Sequence, residues 1–209
     1  EMCIRDSYNM EENLYNQRLR KLEALRKKNL NPYPASYPRT HTCRQVKEKY
    51  SFLKQGESRE DRVSVAGRLV AAREMGKSTF GDIADSSGRL QIYVRQEKVG
   101  EEGYGLFKSL DIGDILGIKG NVFLTRTGEL TLLVQEFQLL AKSLRPLPEK
   151  WHGLKNIETR YRQRYLDLLV NSMVREVFEK RTSVITHLRR FLDNRGFLEV
   201  ETPMLQLQA

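Results

Sequence analysis

Residues 63–140 constrain this chain more than any other stretch. There the hydrophobic residues leave helical spacing for strict alternation, and glycines fall at the breaks. VSVAGRLVAAR, residues 63–73, reads as a long strand, and residues 79–84 read as a second after a turn through Gly76. The DSSG turn at 85–88 leads into residues 89–96, where Leu90, Ile92 and Val94 alternate with Gln91, Tyr93 and Arg95. A period of two is the signature of a pleated strand with one buried face. Residues 101–110, punctuated by glycine, have room for a short helix. Two more strands, 114–125 and 129–140, join through a turn at Thr127 and Gly128. Three strands, a helix and two strands is the order of an OB-fold, a five-stranded barrel whose face takes oligonucleotides. Order alone leaves other small barrels open.

Helical spacing returns on both sides. In residues 13–29, Tyr15, Leu19, Leu22 and Leu25 recur at helical intervals, while six Lys and Arg stand against the single acid Glu23. That basic face reads either as solvated surface or as a contact for RNA phosphates. The helix stops at Asn29, before the three prolines of NPYPASYP. Residues 42–54 have the makings of a second short helix. Residues 1–9 are polar and unpatterned, precede a Met10 that could itself be a start, and read as a leader or scar outside the fold. After LRPLPEKWHGL, whose two prolines mark a boundary, residues 158–170 are helical and rich in Arg and Tyr. Val174, Val177, Phe178, Val184, Ile185, Leu188, Phe191 and Leu192 then form one apolar stripe on a long helix. Gly196 ends it, and residues 197–201 read as a strand stopped by Pro203. The expected class is α+β. It comprises a basic helical segment at 10–62, a five-stranded barrel at 63–145, a linker at 146–172 and the opening helix and strand of another domain at 173–209.

Charge narrows the partners. The 36 Lys and Arg exceed the 27 Asp and Glu, for a net charge of +9. Such an excess attracts polyanions, nucleic acid first among them. Cys3, Cys43 and the three histidines have no metal-ligand spacing. A lone possible disulfide makes no secreted framework, so a reducing compartment, the cytoplasm, is the expectation. No apolar run approaches the roughly 20 residues that a membrane span requires, and the start has no signal-peptide core.

Several stretches carry a family resemblance. GFLEVETP, residues 196–203, resembles motif 1 of class II aminoacyl-tRNA synthetases. VAGRLVAAREMGKSTFGDIADSSGRLQIYV resembles the OB domain shared by the aspartyl, asparaginyl and lysyl enzymes. LRPLPEKWHGL with ETRYRQRYLDL resembles the lysyl members in particular. The chain is thus similar to class II lysyl-tRNA synthetases over nearly its whole length from Met10. The resemblance implies an enzyme that attaches lysine to tRNA(Lys) through a lysyl-adenylate, with ATP and Mg2+ as cofactors, working as a homodimer. It places ATP, metal and lysine binding in motifs 2 and 3, beyond the residues given. It therefore implies tRNA binding and a dimerisation motif in this chain, with no catalytic residue. Alternatives are a freestanding OB-fold module for RNA or single-stranded DNA, and an aspartyl or asparaginyl synthetase.

Carried over by motif position, the resemblance assigns anticodon binding to Arg73, Phe80 and Gln91, with Glu136 as a weaker candidate. It assigns the dimer interface to Phe191, Gly196, Phe197 and Pro203. These residue types suit the first task. An aromatic face stacks an unstacked base for about 1–3 kcal/mol, a glutamine amide both donates to and accepts from a base edge, and arginine adds a charged planar fork. Parity puts Phe80 with Asp82 and against Ile83, and Gln91 against Leu90 and Ile92, so both are expected to point outward. Simple alternation places Arg73 inward with Val65 and Leu69 and leaves Arg68 as its rival. A bulge in the first strand would turn Arg73 out.

Overall fold

The computed structural model describes residues 2–147, 154 and 156–203, with backbone only at 2–11 and 172. Residues 148–153 and 155 of the expected linker, and 204–209 at the end, lie outside the described residues. The chain divides into two compact units, Glu1–Leu147 and Pro148–Ala209.

In the first unit, α1 (Met2–Lys27) and α2 (Cys43–Lys49) precede β1 (Ser58–Met75), β2 (Ser78–Ala84), β3 (Arg89–Arg95), α3 (Gln96–Ser109), β4 (Ile115–Leu124) and β5 (Leu130–Ala141). The strands close into a barrel in the order β1-β2-β3-β5-β4. Closure rests on the length of β1. Its first part pairs with β4 and its second with β2, and Arg68 stands opposite both Ile115 and Ala84. All neighbours are antiparallel except β3 and β5. Alternation decides the inside: Val63, Val65, Leu69, Ile83, Leu90, Ile92, Val94, Leu116, Ile118, Val122, Leu132 and Val134 are all buried. From α3, Tyr104 and Phe107 add to this core, and the Tyr104 hydroxyl lies 2.9 Å from Thr79 Oγ1.

Two helices are fastened to the barrel by polar contacts as well as packing. On α1, Leu22 and Leu25 are buried, and Arg18 donates to the carbonyls of Ser143, Arg145 and Ile112 at 3.0–3.2 Å. Lys21 reaches Asp111 at 2.6 Å. Two of the six basic residues of this helix are thus docking groups, a correction to the picture of a wholly solvated basic face. Its start also lies farther back than expected, at Met2, and no glycine or proline between residues 2 and 12 would interrupt a helix. Beneath α1, the Lys142 ammonium is buried between Asp111 (2.5 Å) and Asp114 (2.7 Å). On α2, Thr42 and Gln45 form a reciprocal capping box. The proline-rich loop before it lays Tyr37 over β4 at Gly117, where any Cβ would strike the ring.

The second unit has α4 (Ile157–Arg162), α5 (Arg164–Val170) and α6 (Ser172–Asp193). The single helix expected over 158–170 is broken at Gln163, whose φ and ψ are −117° and 56°. Asp167 is fully buried and accepts hydrogen bonds from Arg160 (2.9 Å), Arg164 and Asn171 (2.6 Å). Burial would push its carboxyl up, but the Asn171 and Arg160 hydrogen bonds and the two arginine charges hold it below the ordinary range. α6 ends where Gly196 turns to φ 78° and the Phe197 amide bonds the Leu192 carbonyl at 3.2 Å. The strand expected at 197–201 does not form a ladder. These residues have no strand partner among the described residues, and an extended segment becomes a strand only against a neighbour.

Candidate nucleic-acid interface

Registered cross-strand positions share a face, so strand pairing assembles the outer surface of the barrel. Arg73 on β1 stands opposite Phe80 on β2, Phe80 opposite Tyr93 on β3, and Tyr93 opposite Leu133 on β5. One step along, Ala71, Asp82, Gln91 and Thr131 make the neighbouring row. The inward positions between them, Ile83, Leu90 and Ile92, are fully buried and fix the direction of the outward set.

The placement of Arg73 turns on one residue. The β1–β2 register jumps from Leu69 opposite Ile83 to Ala71 opposite Asp82, so Val70 is the extra residue of a bulge. Beyond it the parity of β1 is inverted, and Arg73 stands exposed beside Phe80, its guanidinium 3.7 Å from Asp82. Its rival Arg68 is partly buried and donates to the Gly113 carbonyl at 2.7 Å, a bond that ties β1 to the entrance of β4.

Phe80 is half-buried because Tyr93 stacks on it, with centroids 4.2 Å apart and planes 19° from parallel. Phe123 follows at 6.2 Å from Tyr93, extending an aromatic row across the sheet. Tyr93 escaped the sequence-based site, although it shares strand parity with Gln91; that alternation was the available signal. Gln91 accepts from Thr131 Oγ1 at 2.7 Å through its carbonyl, which holds the side chain in place and leaves the amide NH2 for a partner. Glu136 lies apart. It faces Lys119 on β4 at 3.4 Å, has Arg62 at 3.9 Å, and sits three residues beyond the Leu133 that faces Tyr93. The structure thus brings Arg73, Phe80 and Gln91 together with Tyr93 and Asp82, and separates Arg68 and Glu136 from them. Beside Tyr93, an open hollow of about 590 Å³ runs past Met75, Ser78 and Arg95.

Planar rings beside a fixed amide and a cation can stack a base and bond its edge. The buried Cys43 thiol is pushed up to about 12, first by burial and then by the charge of Asp85, which makes it a poor nucleophile. No group of three or more His, Cys, Asp or Glu among the described residues could hold a metal ion.

In the second unit, Phe191 is exposed on α6 with the Arg195 guanidinium 3.5 Å from its ring centroid. Gly196 supplies the turn, and Phe197 and Pro203 are exposed in the extended segment beyond it. Val177, Val184, Leu188 and Phe191 leave most of the α6 stripe open to solvent.

Comparison with known families separates the alternatives. Residues 63–140 match the model of the OB-fold nucleic acid binding domain, and residues 156–209 match that of tRNA synthetases class II (D, K and N). A lysine–tRNA ligase of Pelotomaculum thermopropionicum is 53% identical over 190 residues, 91% of this chain and 37% of that protein. Those of Carboxydothermus hydrogenoformans and Methanoculleus marisnigri are each 50% identical over 90% and 89% of the chain. The chain is homologous to lysine–tRNA ligases over about nine tenths of its own length. It spans 37–38% of the length of these relatives. The described residues comprise the OB barrel, with its outward aromatic row, and helices of the class II match. The class II match over 156–209 removes the freestanding OB module from consideration. No helix among the described residues is long and apolar enough to cross a membrane.

Proposed function

We propose that the whole protein is a lysine–tRNA ligase, joining lysine to tRNA(Lys) in the cytoplasm at the expense of ATP through a lysyl-adenylate, and that the barrel of this chain holds the anticodon. The observation that carries the reading is the row Arg73–Phe80–Tyr93 beside Gln91, an aromatic plane buttressed from behind with an amide one row away. A central anticodon uridine stacks on Phe80, whose ring Tyr93 keeps upright. The Gln91 NH2, left unused by Thr131, donates to a uracil carbonyl. Arg73 supplies charge and a planar fork on the open side of Phe80. Glu136, paired with Lys119 and Arg62, borders the face rather than reading the base.

ATP and Mg2+ belong to the reaction of the whole protein, where they activate the lysine carboxylate. No residue of this chain is assigned to that step. Part of the α6 stripe, with Phe191, Gly196, Phe197 and Pro203, is the surface through which two copies pair, and the rest packs under the sheet of the catalytic domain.

Titration of an RNA stem-loop carrying a lysine anticodon tests the barrel assignment. Phe80→Ala weakens binding by about 1–3 kcal/mol. Gln91→Ala costs less but reduces the preference for uridine over cytidine at the central position. Unchanged affinity in Phe80→Ala overturns this use of the face.

A further inference from the structure

The outward row of β3 does not end at Gln91. Arg89 continues it toward the β2–β3 turn, where α2 and the turn enclose an open hollow of about 610 Å³. Its walls carry Arg44, Lys47, Ser51 and Arg89 beside Glu48, and Lys47 is also paired with Glu129 at 3.3 Å. The floor is rigid. Asp85 accepts from the Ser87 amide (2.7 Å), the Ser87 hydroxyl (2.6 Å) and the Gly88 amide (3.1 Å), and its other oxygen accepts from the Cys43 amide at 2.9 Å. The Arg44 amide bonds Ser87 Oγ, and Arg44 Nε bonds the Ser87 carbonyl at 3.3 Å, which aims the guanidinium while leaving its terminal NH2 groups for another acceptor. Burial would raise the Asp85 carboxyl, yet the hydrogen bonds from Ser87, Cys43 and Gly88 hold it below the ordinary range, so the turn stays locked at neutral pH.

We propose that this hollow binds the phosphate backbone of the RNA whose bases lie on the aromatic face, with Arg44 and Arg89 as its principal ligands. The proposal rests on the anticodon reading of that face. An arginine aimed by the Ser87 carbonyl, with a second on the adjoining strand, suits a phosphodiester, which guanidinium groups can grip with paired N–H donors. Arg89 is two residues, about 6.6 Å, from Gln91 along β3, close to the step between successive nucleotides, so one strand can meet both. Contacts of this kind position RNA without reading its sequence.

The test uses the full chain and stem-loop RNAs with a lysine anticodon or a substituted one, titrated at several salt concentrations. R44A/R89A should weaken both RNAs by the same factor, about tenfold at moderate salt, and flatten the log–log salt dependence by about 0.7–0.9 for each phosphate no longer gripped. K98A/K180A, with the same net charge and both cations elsewhere, should leave the slope nearer the parent's. Arg89→Glu alone is the second variant, since Arg89 is exposed. An unchanged slope in R44A/R89A and Arg89→Glu overturns the proposal, as does a loss confined to the lysine-anticodon RNA. If wild type fails to discriminate the two RNAs while R44A/R89A still flattens the slope, the face reading falls and the phosphate site stands.

Discussion

The two units of this chain solve the problem of burial in opposite ways. Every buried hydrophobic residue among those described lies in the first unit, from Leu22 to Leu139, whereas the buried residue of the second is Asp167, a carboxylate gripped by two arginines and an asparagine. The barrel closes on itself and leaves no strand edge free. The helices present Val177, Val184, Leu188 and Phe191 to water. A side chain of this kind forgoes about 1.5–3 kcal/mol when left exposed. The first unit therefore reads as complete, and the second as a surface made to be covered, which is the physical content of the pairing role proposed for it.

The comparison breaks first where the barrel is most exacting. Asp114→Ala leaves the buried Lys142 ammonium with one carboxylate instead of two and removes acceptors for the Asp111 and Ser143 amides. Loss of one partner of a buried pair costs about 3–5 kcal/mol, and urea unfolding of the barrel should register a loss of that order. Next comes a matched pair of leucines. Leu132→Ala, fully buried, should cost about 2–5 kcal/mol, while Leu188→Ala, more than half exposed, should change unfolding by under about 0.5 kcal/mol. Leu188→Ala should instead weaken self-association in sedimentation. A large stability loss at Leu188 would mean that α6 is already buried within one copy.

Much of the barrel was legible because alternation is local. Leu90, Ile92 and Val94 declare their face within six residues, and Gly128 and the DSSG turn declare the hairpins. What escaped depends on partners far away in sequence. The Val70 bulge, which turns Arg73 outward, exists only in the register against β2. The stack of Tyr93 on Phe80 needs the β2–β3 pairing. The docking of α1 depends on Lys21 meeting Asp111, 90 residues on. The break at Gln163 involves neither glycine nor proline, and residues 197–201 have the pattern of a strand but no neighbour. Among the candidates, the outward direction of Phe80 and Gln91 was readable from parity, whereas the ion pairs of Glu136 required Lys119 and Arg62 in place.

Acid should sharpen the contrast more gently. Burial pushes the Asp111 carboxyl up, but Lys142 and Lys21 hold it below the ordinary range, and Asp167 is held low in the same way. For a group with a depressed folded pKa, the stabilisation is present above the ordinary carboxylate range and disappears as pH falls through the folded value. Helical circular dichroism should therefore decline below about pH 4, as α1 undocks and α4–α5 loosen, while the apolar barrel core persists. A simultaneous loss of strand and helix signal would show that the barrel depends on these anchors.

The most direct measurement compares the full chain with a shortened one ending at Leu147, each titrated with the lysine-anticodon stem-loop. If the barrel is complete and carries the RNA face, the shortened chain binds within about twofold of the full chain, under roughly 0.4 kcal/mol, and keeps its preference for the lysine anticodon. A shortened chain that stays folded but loses the affinity or the preference would place recognition in the second unit and contradict the account.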